Sequence, residues 1–148
     1  MPARESALWK MMRDSHLPGH WVRVENRVER GTPDVNFSMP EGEGWIELKS
    51  IDHLPMDYFA PFRIRHFTMQ QRSWLRRRAE AGGFAAVLLR AERGPREYLL
   101  LPGAWAAERI GEAAAEEARG VALGVWGPAW DREALLRGIR KCLRDMHL

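Results

Sequence analysis

The chain has 148 residues, 45% of them apolar and 29% charged, a balance that excludes a disordered tail and suffices for one domain with its own core. Lysine and arginine number 23 against 20 aspartates and glutamates, a formal charge of +3, too small a surplus to establish nucleic-acid binding by itself. The single cysteine, Cys142, excludes an intrachain disulfide and a cysteine-based zinc site, and Pro18-Gly19 between His16 and His20 breaks the helix that a histidine pair would need.

The first element is a predicted helix over 3–14, where Leu8, Met11 and Met12 fall at helical spacing. It starts without an apolar signal core, so a cytoplasmic chain is expected, in a bacterial or phage-infected cell. Residues 21–28 alternate apolar and polar and predict a half-buried strand; Gly31-Thr32-Pro33 is a turn. Residues 34–39 alternate again, 40–44 read as hairpin punctuation, and 45–50 predict a third strand. After an irregular stretch over 51–64, Thr68 is the expected N-cap of a helix reaching about 81, which Gly82-Gly83 ends. The apolar run 84–89 suits a buried central strand, although it is far too short to cross a bilayer, and 97–101 suits the next strand. A helix near 105–118 and another from about 131 to 146 complete the chain, the latter with Leu135, Leu136, Ile139 and Leu143 on one stripe. The order αβββαββ followed by helices predicts an α/β domain over 1–148, with one mixed central sheet flanked by helices and a helical extension over about 102–148.

The chemistry concentrates in Gly31-Thr32-Pro33-Asp34 and, after twelve intervening residues, Glu47-Leu48-Lys49. Side chains alternate along a strand, so Glu47 and Lys49 share a face. A hairpin through 40–44 brings Asp34 beside Glu47. Two adjoining carboxylates repel and raise each other's proton affinity, and a hard divalent cation relieves that conflict. Such a cation acidifies water and polarises a phosphoryl group, while a neighbouring lysine positions the water or offsets developing charge.

Pro33-Asp34 with Glu47-Leu48-Lys49 resembles the PD-(D/E)XK nuclease superfamily, in its small phage and archaeal branch that includes Holliday-junction resolvases and VRR-NUC-like nucleases. The resemblance covers about residues 3–101 and includes Glu5 on the first helix and Gln71-Arg72-Ser73-Trp74-Leu75 ahead of Ala81-Gly82-Gly83-Phe84-Ala85. It implies a restriction-endonuclease-like core (αβββαβ) and a Mg²⁺-dependent endonuclease, Mn²⁺ being able to substitute, that hydrolyses DNA. Asp34, Glu47 and the Leu48 carbonyl would bind metal, with Glu5 as a further ligand, Lys49 would be the catalytic lysine, and Gln71 would orient phosphate or water. Branched DNA is a candidate substrate, and its twofold symmetry suits a homodimer. No membrane partner is expected.

Between Arg63 and Arg78 the chain carries Arg63, Arg65, Arg72, Arg76, Arg77, Arg78 and His66 without a single acidic residue. These arginines are candidate phosphate contacts. Simpler readings stand beside these. Pro33-Asp34 also suits an ordinary turn, Glu47 and Lys49 a charged edge strand, Glu5 a helix N-terminus, and the arginines a solvated helix face. His53 and Tyr58 either touch DNA or close a loop, while Trp74, Leu75 and Cys142 read as packing. A non-catalytic DNA-binding module and a basic protein-interaction module are the two functional alternatives.

Overall fold

In the computed structural model, which describes residues 1–147, six strands form one sheet in the order β1-β2-β3-β4-β5-β6. The elements run α1 (Ala3–Asp14), β1 (His20–Arg23), β2 (Val35–Met39), β3 (Gly42–Ile51), α2 (Met69–Glu80), β4 (Phe84–Ala91), β5 (Glu97–Pro102), α3 (Gly103–Arg109), α4 (Ala115–Val121), β6 (Gly124–Trp126) and α5 (Arg132–Met146). Only β3 and β4 pair in parallel; every other neighbouring pair is antiparallel. The molecule is thus an α/β fold with a mixed, open sheet. Among the described residues no helix is long and apolar enough to cross a membrane.

Alternation along the strands divides the core into two layers. Ile46 and Leu48 of β3, with Leu88 and Leu100, meet Leu8 and Met12 of α1 and Leu135, Ile139 and Leu143 of α5. The opposite face, carrying Val87, Leu89, Leu99 and Leu101, meets Trp74 and Leu75 of α2 and Ala106, Ala115 and Ala118 of α3 and α4. Each fully buried leucine contributes about 1.5–3 kcal/mol relative to exposure. Trp74, Leu75 and Cys142 take the packing roles expected of them, the first two buried and Cys142 half-buried against the α1–α5 layer.

Four elements differ from the sequence expectation. β1 stops at Arg23 because Asn26 accepts from the Val28 and Glu29 amides at 3.0 and 2.9 Å, turning the chain out of the strand. β3 starts at Gly42 and runs through Gly44, where a Cβ would lie 2.5 Å from the Phe84 ring and 2.9 Å from that of Phe37. Gly44 therefore serves close ring packing rather than a turn. The helix expected near 105–118 is two helices. Gly111 has a left-handed φ of 107°, and the 111–113 segment is tied to Phe62 by amide–carbonyl bonds of 3.0 and 3.1 Å. The tail is also not purely helical, since Gly124–Trp126 pairs with β5 as an edge strand. Its α5 is capped by Asp131, which accepts from the Glu133 and Ala134 amides.

Candidate active site

Asp34 sits one residue before β2, and the β2–β3 register (Val35 opposite Ile46, Asn36 opposite Trp45) continues to Asp34 opposite Glu47. The two carboxyl groups adjoin, near enough for a proton on Glu47 to be shared with Asp34, and Asp34 Oδ2 accepts from the Leu48 amide at 2.8 Å. The turn before them is held by Gly31, at φ 91°, where a Cβ would lie 2.4 Å from the Gln70 carbonyl oxygen and 2.9 Å from the Gln71 nitrogen. Only glycine lets this turn lie so close to the start of α2.

Glu47 is 1% exposed. Burial is the largest influence on it and pushes its carboxyl well above the ordinary value, with the hydrogen bond to Asp34 and the Asp34 charge acting the same way. Lys49 and the Leu48 amide pull in the opposite direction. Glu47 Oε2 is buried without a hydrogen-bond partner. A buried acceptor left so costs about 1–3 kcal/mol.

Lys49 projects from the same face as Glu47, is 5% exposed, and donates to the His66 carbonyl at 3.0 Å. Its ammonium also lies 5.7 Å from the Phe67 ring centroid. His66 has a left-handed φ of 62°, a conformation that costs roughly 1–3 kcal/mol and gathers at functional sites. The strand carrying Glu47 and the segment leading into α2 therefore meet at the lysine.

The other expected site residues separate by role. Glu5 is buried on the stripe of α1 that carries Leu8 and Met12, whose layer lies across the sheet from Glu47 and Lys49. Among the described residues no group of three or more His, Cys, Asp and Glu side chains gathers as a metal site, so the acid pair has no third such partner. Gln71 completes a capping box: its amide donates to the Thr68 Oγ1 at 3.1 Å, and its Oε1 accepts from the Thr68 amide at 2.9 Å. Thr68-Met69-Gln70-Gln71 carried that signal in its Thr-x-x-Gln spacing. Arg72 donates to the Ala107 and Ile110 carbonyls at 3.0 and 2.9 Å and covers the Phe67 ring, so it ties α2 to the end of α3 instead of facing solvent. Arg78 lies over the Trp74 ring. Arg63, Arg65, Arg76 and Arg77 are exposed, Arg77 within 3.9 Å of Glu29.

The cap and a catalytic task for Gln71 make different predictions. Breaking the box by Thr68→Ala is expected to cost about 1 kcal/mol of stability, read from urea unfolding. A catalytic Gln71 requires Gln71→Ala to slow cleavage well beyond Thr68→Ala at equal folded fraction; equal rates assign it to the cap alone.

No family model, curated protein or solved structure matches the chain. The arrangement itself defines the chemistry available: two touching carboxyls, one with a buried unpaired oxygen, and a held ammonium two residues along the strand.

Proposed function

We propose that the protein is a metal-dependent nuclease hydrolysing DNA phosphodiester bonds. The observation that carries this reading is the contact between the Asp34 and Glu47 carboxyls, with Glu47 Oε2 buried and unpartnered beside Lys49. A protein gains nothing in stability from burying Glu47 against the Asp34 carboxyl with one oxygen unpaired, and such unsatisfied groups gather at functional sites. The donor set fits a hard divalent cation, for which carboxylate and carbonyl oxygens are the suitable ligands. Asp34, Glu47 and the Leu48 carbonyl would hold Mg²⁺, and Mn²⁺ would substitute. Bound there, the ion supplies positive charge for a phosphoryl oxygen and makes water more acidic.

The chain's own residues do the rest. The Leu48 amide fixes Asp34, so the acid pair is held before substrate arrives. The His66 carbonyl orients Lys49, and its remaining N–H donors are available to a phosphate or an attacking water. Exposed Arg63, Arg65, Arg76 and Arg77 supply phosphate attraction without base readout. The α1-β1-β2-β3-α2-β4 order agrees with a restriction-endonuclease-like core. A preference for branched DNA and a homodimeric form belong to the same proposal.

The test is a cleavage panel over duplex, flap, four-way and single-stranded DNA, with Mg²⁺, Mn²⁺ or EDTA. Nicking that needs the metal is the expected result. Binding without nicking on every substrate would leave a DNA-binding module. Negligible binding even at low salt, where phosphate contacts are strongest, would leave a protein-interaction module.

A further inference from the structure

Between Lys49 on β3 and its hydrogen-bond partner His66 the chain makes an excursion whose tip is apolar and open to solvent. Met56 is 99% exposed, Tyr58 63% and Phe59 84%. The rings of Tyr58 and Phe59 contact each other edge to face, with centroids 5.2 Å apart. Three exposed large apolar side chains within four positions cost solubility and contribute nothing to the core, so they call for a partner.

The excursion has fixed ends. Leu54, Phe62, Ile64 and Phe67 are buried in the layer beneath α2 and α3. Pro61 pairs with Ala114, and Phe62 exchanges backbone bonds with Gly111 and Ala113. Within the tip, Asp57 accepts from the Phe59 amide at 2.9 Å, and its carbonyl accepts from Ala60. The aromatic pair is therefore carried on an anchored turn.

Charge identifies what meets it. Arg63 and Arg65 follow the tip and line a cavity of about 390 Å³ together with Arg4, Ser50, Ile51, Asp52 and His53. The only carboxylate in that lining, Asp52, is taken by Arg4 and Arg93, each at 3.1 Å. Arg63 and Arg65 are thus left exposed, a few positions along the chain from Tyr58 and Phe59, and Arg65 directly precedes the residue that holds Lys49. Exposed aromatic faces and a cationic groove on one anchored segment are the two components that bind unpaired nucleic-acid strands, the rings by stacking on bases and the arginines by phosphate contact.

We infer that the Tyr58–Phe59 tip stacks on unpaired bases of a DNA strand and feeds its backbone past Arg63 and Arg65 to the acid pair. This names the substrate class as DNA with single-stranded or splayed segments, and it rests on the nucleic-acid side of the proposed function. Met56, Tyr58 and Phe59 lie outside the core, so their replacement leaves the folded state unchanged.

The full chain is titrated, in EDTA, with a single-stranded oligonucleotide carrying a fluorescent base analogue that dims on stacking, and with the matching duplex. The Tyr58→Ala, Phe59→Ala pair is expected to weaken single-strand binding by about tenfold or more and to abolish the dimming, with duplex affinity little changed. The Tyr58→Trp, Phe59→Trp pair is expected to retain both signals. Unchanged single-strand affinity in the alanine pair overturns the inference. So does full recovery by Tyr58→Leu, Phe59→Leu, because it assigns the tip to apolar contact instead of stacking. Loss of binding to phosphatidylserine vesicles with nucleic-acid affinity unaltered overturns it too, in favour of a lipid surface. Because binding is read without metal, the two readings fail separately. A chain that stacks single strands yet never cuts DNA with Mg²⁺ removes the nuclease and keeps the tip. A chain that cuts duplex DNA equally well with and without the rings, and binds single strands alike, removes only the tip.

Discussion

Replacing Lys49 with methionine is expected to lower Mg²⁺-dependent cleavage by about a hundred- to ten-thousandfold, the range found when a positioned proton donor or charge is removed from a reacting centre. Methionine keeps most of the unbranched stem that fills the site and removes only the ammonium, so the loss reads the charge rather than a cavity. The His66 carbonyl loses its donor and Glu47 loses the cation that restrains its proton affinity. An orphaned carbonyl costs about 1–3 kcal/mol, which leaves a folded protein whose rate can be compared with wild type at equal folded fraction, judged by circular dichroism. Lys49→Arg is expected to rescue poorly, because a planar guanidinium cannot occupy a point-charge position set by one carbonyl. Wild-type cleavage in Lys49→Met would overturn the assignment of Lys49.

How far the sequence carries this site differs residue by residue. The meeting of Asp34 with Glu47 was legible because it follows from local rules: alternation in two strands, a short hairpin between them, and a Pro-made turn ahead. The exact register was not: the turn holds only residues 40 and 41, and this tighter turn, not a 40–44 loop, places position 34 opposite position 47. The Lys49–His66 bond was not legible, since no local pattern connects a strand residue to the carbonyl of a left-handed residue 17 positions on. Arg72 reads as a phosphate contact in the sequence because its charge is visible there and its environment is not; only the arrival of α3 beside α2 shows its guanidinium donating to the Ala107 and Ile110 carbonyls. Strand β6 is invisible in the sequence for a different reason: its three residues are too few to display alternation, and their contacts with β5, including the Tyr98 ring stacked on Trp126 with centroids 5.6 Å apart, are long-range. The short β1 and the divided α3–α4 pair have the same origin. A side-chain turn at Asn26 and a glycine at 111 overrode patterns that continued past them.

Glu47→Gln is expected to abolish metal-dependent cleavage while making the metal-free protein less sensitive to rising pH. The carboxyl is pushed above its ordinary value of about 4.5, first by burial and then by Asp34. The folded chain therefore keeps the Glu47 proton to higher pH than the unfolded chain does. Stability from this group is complete below the ordinary carboxylate range and is lost as pH rises through the raised value, because the unfolded state then binds fewer protons. In EDTA, urea unfolding of wild type minus Glu47→Gln is expected to fall across that window, with a slope approaching about 1.4 kcal/mol per pH unit. Glutamine carries no proton to lose, so its own contribution is flat. A divalent cation reverses the sign for wild type, since it favours the ionised carboxylate and stabilises the folded state increasingly as pH rises. Mg²⁺ is thus expected to raise the wild-type melting temperature most at the alkaline end of the window and to leave Glu47→Gln almost unmoved. Parallel pH profiles for the two proteins in EDTA would remove the buried, protonated Glu47 from the account. Equal Mg²⁺ stabilisation of both would separate the acid pair from metal binding, and the catalytic reading of Asp34 and Glu47 would go with it.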